Sequence, residues 1–163
     1  MEYAKVEAMV LPQLAVEKLF YLEARCSPKI TIGDIGGREL NIFPIIGGFF
    51  EGEKMRGEIM NLGADWNYRY SDNFAEMTTR YLLKTDDGEY ISLATNGRYV
   101  NEWEKVLAIR RGEYIDPNQY YFRQHLVFET GAAKYKWLNG IIAFAVMGIK
   151  QTGEICYNAY MLK

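Results

Sequence analysis

Histidine, cysteine and proline are scarce in this chain, and each scarcity excludes a class of chemistry. The 163 residues hold one histidine, His125, together with two cysteines and four prolines. A single imidazole rules out any metal centre that needs two, and it leaves a Ser-His-Asp or Cys-His arrangement with no alternative base. His125 is read as a surface or rim residue. Cys26 and Cys156 lie far apart, and neither has a partner at metal-ligand spacing, so zinc is not expected. No secretory n-region and h-region precede them, which predicts two free thiols in a reducing, cytoplasmic setting.

A surplus of either charge is missing as well. The net charge is −2, with acids and bases interspersed, so no basic face is offered to a phosphate backbone and nucleic acid is not an expected partner. The longest apolar run, Ile141 to Ile149, is broken by Gly148 and falls well short of the roughly 20 residues of a membrane-spanning helix. No membrane association is expected. Gly47 and Gly48 match no phosphate-loop spacing, and Asp86 with Asp87 before a glycine is turn chemistry rather than a calcium loop. No cofactor is expected, and no repeat or low-complexity segment occurs.

What the chain does have is aromatic residues and glycine. Thirteen Tyr, eight Phe, three Trp and fifteen Gly favour strands joined by turns over a helical bundle. The length fits a single domain spanning residues 1–163, with residues 1–15 as a short helix or arm. The clearest local signal is Asp86, Asp87 and Gly88 between the strand-like runs Glu76–Thr85 and up to Thr95, which predicts a tight hairpin. Further strands are expected at Leu19–Cys26, Arg38–Phe50, Met55–Leu62, Tyr120–Thr130, Ile141–Lys150 and Ile155–Leu162. The paired glycines Gly47 and Gly48 predict a bulge or bend inside the second of these, and Gly63 is read as starting a turn.

After Gly97 the period changes. Asn101 with Glu104 forms a capping-box pattern and Gly112 stands at a C-cap position, so one helix is expected from Asn101 to Arg111. Eight or nine strands that are mostly sequence neighbours tend to close, which predicts an all-β fold: an up-and-down antiparallel barrel of about eight strands, with a sandwich second.

Candidate site residues follow from charges beside apolar neighbours. Arg80 alternates with Leu82 on one face of the hairpin, and a two-residue loop would set it opposite Thr95. Tyr121, Arg123, His125 and Glu129 share one face of their strand, while Phe122, Gln124, Leu126 and Phe128 share the more apolar one, which on pattern is the likelier core wall. Asp65 stands beside Trp66, and Trp137 is placed to plug a barrel end. One reading is a barrel cavity in which Asp65 and Glu129 move a proton while Arg80, Tyr121, Arg123, Trp66 and Trp137 hold a small polar molecule. The other is that the same charges form structural ion pairs or a solvated rim.

The run Gly47 to Gly52, Gly63 to Trp66, Arg80 with Tyr81, Asp86 to Gly88, Tyr121 to Arg123, Phe128 to Thr130 and Tyr135 to Asn139 resembles an uncharacterised bacterial family. That family is numbered 0311 among uncharacterised protein families and 3237 among domains of unknown function. The resemblance covers nearly all of the chain from Leu19. It implies a barrel similar to those of allene oxide cyclase and dirigent proteins, which enclose an apolar cavity and often assemble as homo-oligomers. For function the resemblance implies little, since one barrel hosts many tasks. The residues themselves lead to binding of a small, partly apolar carbonyl or carboxylate compound in the barrel as the first expectation, with a cofactor-free isomerase, cyclase or lyase and a non-catalytic oligomeric assembly protein with a filled barrel as the alternatives.

Overall fold

The computed structural model describes residues 8–163. Among these residues nine strands run β1 (Val16–Cys26), β2 (Ile30–Asp34), β3 (Glu39–Glu51), β4 (Arg56–Ser71), β5 (Phe74–Thr85), β6 (Tyr90–Val100), β7 (Tyr121–Glu129), β8 (Ala143–Ile149) and β9 (Ile155–Leu162). Their order is β1-β9-β8-β7-β6-β5-β4-β3-β2, all antiparallel, and an additional β1–β3 pairing joins the ends into a closed eight-stranded barrel with β2 appended beside β3. Closure leaves no open edge on the ring. The expected barrel is therefore the observed one. Of the expected arm at residues 1–15, residues 1–7 lie outside the described residues, and residues 8–15 carry no regular secondary structure and are exposed.

The corner that lets β3 serve two partners is built on glycine. Register shifts occur between Pro44 and Gly48 against β4 and between Arg25 and Cys26 against β1, and Gly47 and Gly48 hold φ of 145° and 144°. A side chain at Gly48 would place its Cβ 2.0 Å from the Glu23 carbonyl oxygen, so two backbones meet here only because it is absent. The bend expected at this pair is present. Gly63, by contrast, does not start a turn: β4 runs unbroken through it for 16 residues, and the glycine sits at a second bulge, between Ile59 and Gly63.

The β5–β6 hairpin closes over three residues, with Thr85 paired through its backbone N–H to the Glu89 carbonyl and Gly88 at φ 90°. Arg80 consequently faces Ala94 and not Thr95. The β2 strand was not expected, because its side chains are mostly exposed and offer no alternation to read. The one α-helix among the described residues, α1 (Trp103–Arg110), ends at Gly112 with φ 80°, but its expected capping box does not form. Asn101 instead donates its side-chain amide to the Tyr99 hydroxyl at 2.8 Å.

Alternation divides each strand between core and outside. On β5 Ala75, Met77, Thr79, Tyr81, Leu83 and Thr85 are buried, and on β7 Phe122, Gln124, Leu126 and Phe128 are. One half of the interior is solid: Phe20 meets Phe50 and Phe128 at ring separations of 5.6 and 6.1 Å, with Leu83 and Ile91 fully buried nearby. A 3-10 turn at Ala133–Gly140 closes that end with Tyr135 and Leu138. Asp87 ties the turn to the β5–β6 hairpin by accepting from Lys134 at 2.5 Å and from the Tyr135 hydroxyl at 3.0 Å.

Candidate functional site

The other half of the barrel is hollow. A cavity of about 580 Å³ opens there, with Tyr81, Tyr157, Phe122 and Met147 deep in it. Arg110, Arg111 and Gly112, at the end of α1, and Gln151 to Gly153, in the β8–β9 turn, frame its mouth, where the Gln151 amide reaches the Gly112 carbonyl at 3.4 Å. An eight-stranded barrel is just wide enough to be filled or to hold one small ligand. Here the inward positions of the open half carry short side chains, Ala24, Cys26 and Thr79 among them, and space remains. The filled barrel expected of an assembly protein is thereby corrected.

Asp65 is the acid of this hollow. It projects inward from β4 opposite Thr79, whose hydroxyl donates to Oδ1 at 2.7 Å. No cation bonds to it among the described residues, and Arg69, four residues further along the strand, is about 13 Å away along the backbone. Burial without a compensating charge pushes the Asp65 carboxyl up to about 7, although hydrogen bonds from Thr79 and Asn67 pull the other way. Its neighbour Cys26 is pushed up to about 11, first by burial and then by the Asp65 charge, so the thiol stays protonated near neutral pH.

On the cavity floor the Tyr81 and Tyr157 hydroxyls lie 2.5 Å apart, both buried, and burial raises both above the usual phenol range. At the mouth, Arg69 and Arg110 stand over the Trp103 ring at 5.5 and 5.0 Å. Arg69 donates to the Asp72 carbonyl at 2.9 Å, and neither guanidinium forms an ion pair with a carboxylate among the described residues. Burial, and then repulsion by Arg110, lowers the Arg69 pKa. The hollow thus carries a titratable acid, a hydroxyl pair and a cationic lip on apolar walls.

Of the residues singled out from sequence, Asp65 is the one in this cavity. Arg80 and Glu129 are exposed on the outer face of their strands. Trp66 and Tyr121 also face outward, 38% and 52% exposed. Arg123 donates to the Phe122 carbonyl at 2.8 Å and stands 5.1 Å over the Tyr121 ring, outside the barrel. Trp137 belongs to the turn at the closed end, under Lys54, while Tyr135 and Leu138 do the plugging. The physical reason is strand parity: Trp66 adjoins Asp65, Arg80 adjoins Tyr81, and adjacent residues cannot share a face. The missed residues Asn67 and Arg69 follow Asp65 at steps of two, which was the available signal.

The two thiols, Cys26 and Cys156, are free. Among the described residues no helix is long and apolar enough to cross a membrane, and no cluster of three or more His, Cys, Asp or Glu is placed to hold a metal ion.

The more similar relatives carry names that state no activity. The chain is 35% identical over 130 residues to a UPF0311 protein of Clostridium acetobutylicum, a match covering 78% of this chain and 82% of that one. A β-barrel-like protein of Acinetobacter baumannii superposes with a TM-score of 0.83 at 35% identity, over 96% of this chain and all of that one. A conserved protein of unknown function from Rhodopseudomonas palustris superposes with a TM-score of 0.85 at 28% identity, over 94% and 100%. The pattern of one family, described as protein of unknown function (DUF3237), runs through residues 14–162 and so takes in every barrel strand, and it is to this family that the chain belongs.

Proposed function

We propose that the open half of the barrel binds a small, partly apolar carbonyl or carboxylate compound and that Asp65 moves a proton on it, as a cofactor-free isomerase, cyclase or lyase. The observation that carries this reading is a carboxyl group without a cation partner, raised to about 7, inside an apolar-walled cavity of about 580 Å³. A general acid or base works best when its pKa lies near the working pH, and a cavity of this size is ordinary for small ligands. The Arg69 and Arg110 guanidinium groups supply the anion-binding lip. Self-association is a separate part of the proposal: Ile46, Phe49, Leu62 and Trp66 expose apolar surface on the outer face of β3 and β4.

Native mass spectrometry of freshly purified protein tests the binding half. A small organic molecule travelling with the protein, and displaced by aryl ketones or acids, is expected. Incubation of such a compound in deuterated water tests the chemistry: the wild type exchanges an acidic C–H, and Asp65→Asn binds but does not exchange. A protein that binds no member of an aryl ketone and acid panel would remove the reading. Light scattering on the eluting protein gives the oligomer count.

A further inference from the structure

Two buried phenols that hydrogen-bond to each other own two protons and use one. In the Tyr81–Tyr157 pair one hydroxyl donates to the other at 2.5 Å, and the second O–H has no acceptor among the described residues. Both side chains line the cavity, and Phe20 backs the Tyr157 ring from the solid half at 6.3 Å. A buried donor left unmade costs free energy, so the pair is preset for an acceptor that arrives with a ligand. A phenol that already receives a hydrogen bond is also the stronger donor.

The pair has a fixed relation to Asp65. Asp65 pairs with Thr79 across β4 and β5, and Tyr81 lies two residues beyond Thr79 on the same inward face. Diagonal neighbours of this kind stand roughly 7–8 Å apart. Both side chains enter the same cavity from these neighbouring positions, so one small ligand seated there can meet the hydroxyl pair and the carboxylate together.

We infer that the Tyr81–Tyr157 pair receives the carbonyl oxygen of an enolisable ketone whose adjacent C–H faces Asp65, which makes the reaction a proton shift through an enolate. This rests on the proton-transfer reading above and narrows it to one substrate class. The C–H bond breaks and its proton goes to the Asp65 carboxylate. The bonding pair becomes the carbon–carbon double bond, and the carbonyl π pair moves onto oxygen, where the phenol hydrogen bond meets the developing charge. In a β,γ-unsaturated ketone the carboxylic acid then returns the proton to the γ carbon, the carbon–carbon double bond moves into conjugation and the carbonyl re-forms. Atoms and electrons balance with no co-reactant, and both phenols keep their protons.

The test uses 2-naphthol, whose ionised form resembles an enolate, and 2-methoxynaphthalene, which has the same body and cannot ionise. Wild-type protein is expected to bind 2-naphthol about tenfold or more tightly than the ether, since a charge-assisted hydrogen bond is worth at least that factor. The double variant carrying Tyr81→Phe and Tyr157→Phe should erase the preference while still binding the ether, which also shows that it folds. Asp65→Asn, which removes a negative charge from beside the ligand, should raise the fraction bound as naphtholate, read from its emission. Equal binding of the two probes by the wild type, or a preference that survives in the double variant, would overturn the tyrosine assignment and leave the cavity reading standing. Binding of neither probe would overturn both.

Discussion

Replacing Asp65 by asparagine changes the charge inside the barrel while keeping the acceptor that Thr79 donates to, so it isolates the cost of the buried carboxylate. The folded protein holds this proton up to about 7, whereas the unfolded chain releases it near 3.8. For an acid whose folded pKa is raised, the native state binds more protons than the unfolded one between those values, and stability falls as pH rises through the window. From pH 5 to pH 8 the two pKa values give a loss of at most about 2.6 kcal/mol. Water entering the hollow solvates part of the charge, so a loss of about 1–2 kcal/mol is expected. Asparagine shows none of it.

Urea unfolding of both proteins at pH 5 and pH 8 measures this directly, with the variant gaining about 1–2 kcal/mol on the wild type at the higher pH. Contributions of surface carboxylates such as Asp34 and Glu39 are present in both proteins and cancel in the difference. Cys26, at about 11, stays protonated throughout. A wild-type minus variant difference that is flat with pH, or that moves in favour of the wild type, would refute the claim that Asp65 sits uncompensated in a low-dielectric site.

Arg80→Ala and Glu129→Gln remove outward-facing groups, so each should shift stability by no more than about 0.5 kcal/mol in urea titrations and leave ligand occupancy in native mass spectra unchanged. Gly48→Ala forces a Cβ against the Glu23 carbonyl at a positive φ and should cost more than about 2 kcal/mol; an unchanged denaturation midpoint would remove the barrel-corner account. Phe20→Ala, in the solid half and fully buried against Phe50, Phe128 and Tyr157, should lose about 3–5 kcal/mol, whereas Ala24→Phe, facing the hollow, should stay within about 1 kcal/mol and abolish ligand binding. Alkylation of Cys26 at pH 8, followed by peptide mapping, should run about a hundredfold slower than that of a free thiol, because its pKa rises from 9.0 to about 11.

The closed barrel was legible because its signals are local: glycine pairs at corners, Asp-Gly at the hairpin and runs of alternating residues between them. Gly63 misled because the same positive φ that serves a turn also serves a bulge, and only the partner strand decides which. Asn101 misled in a similar way, since its side chain is taken by the Tyr99 hydroxyl and is lost to the helix. The site was harder to read than the fold because it depends on parity. On β7 the alternation pointed to the Phe122 and Gln124 face as the wall, and the structure agrees, yet the charged residues that attracted chemical interest lie on the other face. Charge density on a strand marks its wet side unless a cavity intervenes, and the sequence contains no local mark of a cavity.

The hollow itself has a physical origin in how residue size is distributed along the inward faces. Towards the closed end these positions carry Phe20, Phe50, Phe128, Leu83 and Ile91, and a buried turn seals them. Towards the open end β1, β4 and β5 carry Ala24, Asp65 and Thr79, so the barrel diameter set by eight strands is no longer filled. Apolar packing is thus concentrated in one half and the cavity in the other. Tyr157 stands at the boundary, with its ring against Phe20 and its hydroxyl against Tyr81, so the rigid half fixes the position of the polar group that the open half presents. Under the proposed function, variation at the mouth, in α1 and the β8–β9 turn, would change the choice of ligand without loss of the fold, because Asp65 and the hydroxyl pair are mounted on the packed strands and not on those segments.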